Sequence, residues 1–100
     1  MDFKPVLIAT EDGPQEAMAE VFQLKFNGGE LAVFIEEGSY HPFLSHYASG
    51  AALAKLPARF YSYNRKTRRS RAQATLDHLC AVVGVENVVD TLMKAKTLNP

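Results

Sequence analysis

Apolar residues around position 30 fall at every second position. Phe22, Leu24 and Phe26 alternate with Gln23 and Lys25, and after "NGG" Leu31, Val33 and Ile35 keep the same period. A period of two places each set on one face of a strand. Asn27 and Gly28 between the two runs tolerate the positive φ of a type I′ turn. The pattern predicts an antiparallel hairpin, roughly Val21 to Phe26 with Glu30 to Glu36. Upstream, Val6 to Thr10 reads as a strand that ends at the turn-forming "EDGP". "PQEAMAEVF" fits two readings. It can open a helix at Pro14 with Ala17, Met18, Val21 and Phe22 on one side, or it can lead into the alternating run.

Downstream of the hairpin the pattern is less regular. "EEGSYHP" breaks the second strand, and "FLSHY" reads as a third short strand or an irregular link. "SGAALAKLP" is expected to be a short helix from near Ser49 to the stop at Pro57. "RFYSY" is expected to be another strand, with Phe60 and Ser62 on one side and Tyr61 and Tyr63 on the other. The period then changes to that of a helix. Ala72, Leu76, Leu79, Cys80 and Val83 form one stripe, Gly84 suits a C′ position, and Val85, Val88, Val89 and Leu92 form a second. Ser70 is the expected N-cap of the first helix with Gln73 completing a capping box, which leaves Arg65 to Arg69 in an exposed approach loop. The sum is an α+β fold, a small antiparallel sheet in the N-terminal half packed on a C-terminal helical hairpin.

With 100 residues, 47% of them hydrophobic, the chain supports one core, so residues 1 to 100 are expected to form a single domain. "KPVLIAT" is too short for a signal segment and no apolar run approaches the roughly 20 residues that span a bilayer, which predicts a cytoplasmic protein without a membrane partner. The single cysteine, Cys80, has no internal disulfide partner and sits in an apolar pattern.

Charge changes the picture. The formal net charge is zero, yet residues 1 to 50 carry eight acids against two lysines, and residues 51 to 100 carry nine bases against three acids, a division of −6 and +6. "RFYSYNRKTRRSR" holds six of the eleven Lys and Arg residues, three aromatics and no acid. Cations at the start of a helix oppose its macrodipole at roughly 0.3 to 1 kcal/mol each. A cluster set against local stability points to an anionic partner. Arg59, Arg65, Lys66, Arg68, Arg69 and Arg71 are therefore candidate contacts to the phosphate backbone of DNA or RNA, with Tyr61 and Tyr63 as candidate stacking groups and weak sequence specificity. An acidic sheet packed beside a basic helix would produce the same division within one fold. Pairing of the cations with Glu11, Asp12, Glu16 or Glu20 is the competing expectation.

A second reading is a protein-interaction module. Here Glu30, Glu36 and Glu37 on the acidic hairpin, or the basic loop, dock on a larger nucleic-acid-handling complex, as a small phage or mobile-element accessory or inhibitory factor would. Homodimerisation of one copy's acidic sheet with another's basic segment is a third.

No reaction is expected. His41, His46, His78 and Cys80 lack metal-ligand spacing, Ser39 and Ser45 lie in no strained nucleophile turn, and neither "NGGEL" nor "GSYHP" has phosphate-loop spacing, so no catalytic residue, metal or cofactor is assigned. Gly84 between two helices invites comparison with a helix-turn-helix reader. Glu86 and Asp90 would face phosphate repulsion, so the second helix is not expected to enter a groove.

Overall fold

The structure, a computed structural model, describes residues 2–38 and 42–100. Five strands, β1 (Lys4–Thr10), β2 (Gly13–Phe26), β3 (Gly29–Glu36), β4 (Phe43–His46) and β5 (Ala52–Lys55), form one antiparallel sheet in chain order. A 3₁₀ turn (Phe60–Ser62) leads to helix α1 (Arg65–Val83), and Gly84 alone separates it from α2 (Val85–Lys94). The α+β architecture is the one the pattern predicts.

β2 is long because it serves two partners. Its first half pairs with β1, from Thr10 opposite Gly13 to Lys4 opposite Ala19. Its second half pairs with β3, from Ala19 opposite Glu36 to Phe26 opposite Gly29. The helical reading of "PQEAMAEVF" fails, since a helix from Pro14 would leave β1 without its partner. Asn27 at φ 49° and Gly28 at φ 78° make the expected turn.

Three local expectations are corrected. "ALAK" forms β5 on β4 rather than a helix, because so short a segment gains more from a sheet partner than from nucleating a helix. "RFYSY" is a 3₁₀ turn rather than a strand: Arg59 takes φ 64°, Phe60 is buried, and the Tyr61 hydroxyl donates to the Ile35 carbonyl at 2.7 Å. α1 begins at Arg65 and not after Ser70. Asn64 is its N-cap, accepting from the Thr67 amide at 2.9 Å.

Alternation along the sheet builds a core on each face. Phe22, Leu24, Val33, Ile35 and Leu44 pack with Leu56, Phe60 and the Ala72 and Leu76 stripe of α1. Val6, Ala19 and Phe34 pack on the opposite face with Ile8, Val21 and Tyr47. β3 is therefore apolar at successive positions.

Side chains finish the edges that strands leave open. Beyond Ala19, β2 has no β1 residue opposite it, and α1 lies there instead. The Gln73 side chain donates to the Lys25 carbonyl at 2.9 Å and accepts from its amide at 2.8 Å, as a neighbouring strand would, and Arg69 donates to the Gln23 carbonyl at 2.7 Å. Asn99 does the same for β1, accepting from the Leu7 amide at 2.8 Å and donating to its carbonyl at 2.9 Å. The Ala9 amide donates to the Gly50 carbonyl at 3.1 Å. These contacts hide backbone groups that would otherwise invite strand pairing.

Candidate nucleic-acid interface

Glu20 precedes Phe22 and Leu24 in the row of β2 that faces α1, and it is fully buried. A bare carboxylate there would be costly. Arg68 answers it with Nε to Oε1 and Nη2 to Oε2, both at 2.8 Å, and Arg65 adds Nη1 to Oε2 at 2.8 Å. The remaining Nη of Arg68 donates to the Tyr63 carbonyl. Burial by itself would raise the Glu20 carboxyl, but the hydrogen bonds and charge of Arg68, with those of Arg65, outweigh it and hold the group below its ordinary range. Hydrogen bonding to Glu20 raises Arg68 in turn. This cluster explains how α1 carries Arg68 on its apolar stripe.

The basic segment therefore divides. Arg68 is 3% exposed and is a cation of the core rather than of the surface. Arg65 has its guanidinium 4.6 Å from the Phe22 ring centroid and one nitrogen on Glu20, with half of its side chain still in solvent. Arg59, Lys66, Arg69 and Arg71 are exposed, and among the described residues none of them has a carboxylate within salt-bridge distance. Lys66 and Arg71, together with Thr67, Ser70 and Ala74, line an open depression of about 500 Å³ on the outer side of α1. No acid occupies the first turn.

The tyrosines do not form a platform. Tyr61 meets Phe60 edge-on at 5.4 Å between ring centroids, and its hydroxyl is committed to Ile35. Burial, reinforced by the charge of Glu20, raises its phenol well above the ordinary value. Tyr63 is half-buried, and the Arg71 guanidinium lies 5.4 Å from its ring centroid. Both side chains serve the fold, and each lies against an arginine, Tyr61 against Arg68 and Tyr63 against Arg71.

The acids of the second reading are exposed, but they do not sit together. Glu30 pairs with Lys25 beside the β2–β3 turn, while Glu36 lies opposite Ala19 at the far end of β3. Six residue steps along the strand separate them by about 20 Å. Glu37 follows Glu36, and its amide donates to the Met18 carbonyl at 2.8 Å.

Other candidate groups are dispersed. His46 is buried with Nδ1 2.8 Å from Ser49 Oγ, and burial lowers its pKa. His78 is exposed, and Cys80 is half-buried beside a groove of about 640 Å³ between the β2–β3 turn and the α1–α2 junction. Ser39 and His41 lie outside the described residues. Among the described residues no three metal-ligating side chains converge. Among the described residues no helix is long and apolar enough to cross a membrane.

Glu20 is the residue that sequence reasoning underweighted. Its signal was present: in the alternating row that runs through Phe22 and Leu24, position 20 also faces the core. Comparison with protein-family models, with curated proteins and with solved structures finds no match to this chain.

Proposed function

We propose that the chain is a non-enzymatic binding protein that holds the phosphate backbone of a nucleic acid on Lys66, Arg69, Arg71 and Arg59, with the exposed part of Arg65 at the margin. The supporting observation is the division of the basic segment. One carboxylate takes up Arg68 and part of Arg65, and four exposed cations have no carboxylate within salt-bridge distance among the described residues. Lys66 is kept in solvent in the first turn of α1, where the macrodipole disfavours a cation, and Arg69 and Arg71 follow it exposed in the next turn, which is consistent with a polyanionic partner. Hydroxyls of Thr67 and Ser70 beside Lys66 and Arg71 suit phosphate oxygens.

A second reading is favoured by the exposed Glu36 and Glu37, which likewise have no cation partner among the described residues. A basic segment of a larger protein complex would complement them, as in a phage or mobile-element accessory or inhibitory factor.

Fluorescence anisotropy of labelled DNA and RNA at two salt concentrations separates the two. Four phosphate contacts give a slope of log K against log salt of about −3 to −4. The Lys66→Ala/Arg71→Ala variant should lose about half of that slope. Absence of binding at low salt would eliminate the nucleic-acid reading and leave the protein partner.

A further inference from the structure

We infer that the polyanion is a B-form DNA duplex and that the outer side of α1 meets it in the major groove, an inference that rests on the nucleic-acid reading above. Single strands are held by stacking bases on aromatic faces next to a basic track. Within the basic segment the tyrosines do not offer that means, because Tyr61 is half-buried with its hydroxyl on Ile35 and the Tyr63 ring lies under Arg71. What remains is a helix flank of cations, hydroxyls and small groups: Lys66, Thr67, Ser70, Arg71 and Ala74, which together line one open depression.

The dimensions of this flank fit the groove. An α-helix with its side chains is about 10 to 12 Å across, and the flank from Lys66 to Ala74 runs about 12 Å along its axis. The major groove is about 12 Å wide and admits an α-helix. No acid falls within this stretch, and Asp77, the one acid of α1, lies about 16 Å beyond Lys66 with its Oδ1 accepting from Gln73 at 3.0 Å. Ser70 and Ala74 are exposed and short enough to let the helix approach base edges, while Lys66 and Arg71 reach the flanking phosphates. The deep, narrow major groove of A-form RNA does not accept such a helix. α2 could not take this role, since Glu86 occupies its first turn.

The test is a titration of the whole chain with one sequence in three forms: duplex DNA, the same duplex as RNA, and single-stranded DNA. Wild type should bind the DNA duplex at least about tenfold more tightly than either alternative. Ala74→Trp, a bulky group on an exposed site, should lower duplex affinity about tenfold, whereas Ala81→Trp, about 22 Å from Lys66 along the helix, should leave it unchanged. Circular dichroism of both variants should match wild type. Equal or tighter binding of single strands or of RNA, or an Ala74→Trp variant that binds like wild type, overturns the groove inference while leaving phosphate binding in place. Failure of wild type to bind any of the three overturns both.

Discussion

Arg68 grips Glu20 at two points, Nε on Oε1 and Nη2 on Oε2, in a site where the carboxylate side chain is 0% and the arginine side chain 4% exposed. The pair joins the first two turns of α1 to the middle of β2. Removing Glu20 strands Arg68 in the core, and removing Arg68 leaves the buried carboxylate with Arg65 alone. Glu20→Gln and Arg68→Ala are each expected to destabilise by about 3 to 5 kcal/mol, measured by urea unfolding. Replacing both at once by apolar groups of similar volume, Glu20→Leu with Arg68→Met, should cost clearly less than the sum of the singles. A double variant as unstable as that sum would mean the two residues do not act as a pair.

Acid should loosen the fold in two windows with different owners. The folded state holds the Glu20 carboxyl below its ordinary 4.5, so the stability it contributes is complete above that value and is lost as pH falls through the lower folded value. His46 is a base whose burial lowers its pKa from 6.5, so folding favours the neutral ring. Its contribution is complete above 6.5 and is lost as pH falls toward the lower folded value. Urea midpoints followed from about pH 7.5 to 3 should decline from near 6.5 downward and more steeply below 4.5. His46→Gln should flatten the upper part and Glu20→Gln the lower. Variants whose profiles run parallel to wild type would assign the acid response to other groups.

The side-chain amides that stand in for missing strands carry different loads. Asn99 is buried and makes three contacts, to the Leu7 amide and carbonyl and to the Tyr47 carbonyl at 2.7 Å. Gln73 holds Lys25 from a wetter site. Asn99→Ala should cost about 2 to 3 kcal/mol and Gln73→Ala about 1, because water can replace the latter's contacts. Asn99→Asp keeps the acceptor and loses both donations, so a stability near wild type would deny the donated bonds any role.

Gly50 and Gly28 share a left-handed backbone and differ in their surroundings. At Gly50 (φ 70°) a Cβ would stand 2.6 Å from the Leu7 carbonyl oxygen and 3.0 Å from the Ala9 amide, while at Gly28 (φ 78°) it would meet nothing within 4 Å. Gly28→Ala should cost about 1 kcal/mol, the conformational term alone. Gly50→Ala must also push the β4–β5 turn away from β1 and should cost at least about 2 kcal/mol more. Equal costs in thermal or urea unfolding would show that the turn yields freely.

Hydropathy period and turn chemistry made the β2–β3 hairpin and the helical end legible, because Phe22, Leu24, Val33 and Ile35 repeat at two and Ala72 and Leu76 at four. Fixing the start of α1 was harder. An arginine on an apolar stripe argues against a helix unless its counterion is known, and that counterion lies 48 residues away on β2. β5 and the "RFYSY" turn are each settled by a tertiary partner and not by their own pattern: the preceding strand β4 pairs with the one, and the Ile35 carbonyl holds Tyr61 in the other. Of the candidate interface, the sequence located the basic segment but could not sort its cations, since sorting required knowing which of them Glu20 would claim.

That sorting yields the sharpest separation between stability and binding. Arg68 is spent inside the fold, so Arg68→Ala should lower the unfolding free energy while, well below the unfolding transition, leaving the salt slope of nucleic-acid binding as it was. Lys66 and Arg71 stand outside any ion pair among the described residues, so Lys66→Ala should change stability by no more than about 0.5 kcal/mol and Arg71→Ala, which also gives up the Tyr63 ring, by no more than about 1 kcal/mol. Each should also weaken binding uniformly across sequences and reduce the salt slope by about 1. The three variants compared by urea unfolding and by anisotropy at two salt concentrations form one experiment. If Arg68→Ala flattens the salt slope as the surface variants do, the buried arginine reaches the ligand and the division of the segment at Glu20 does not hold in solution.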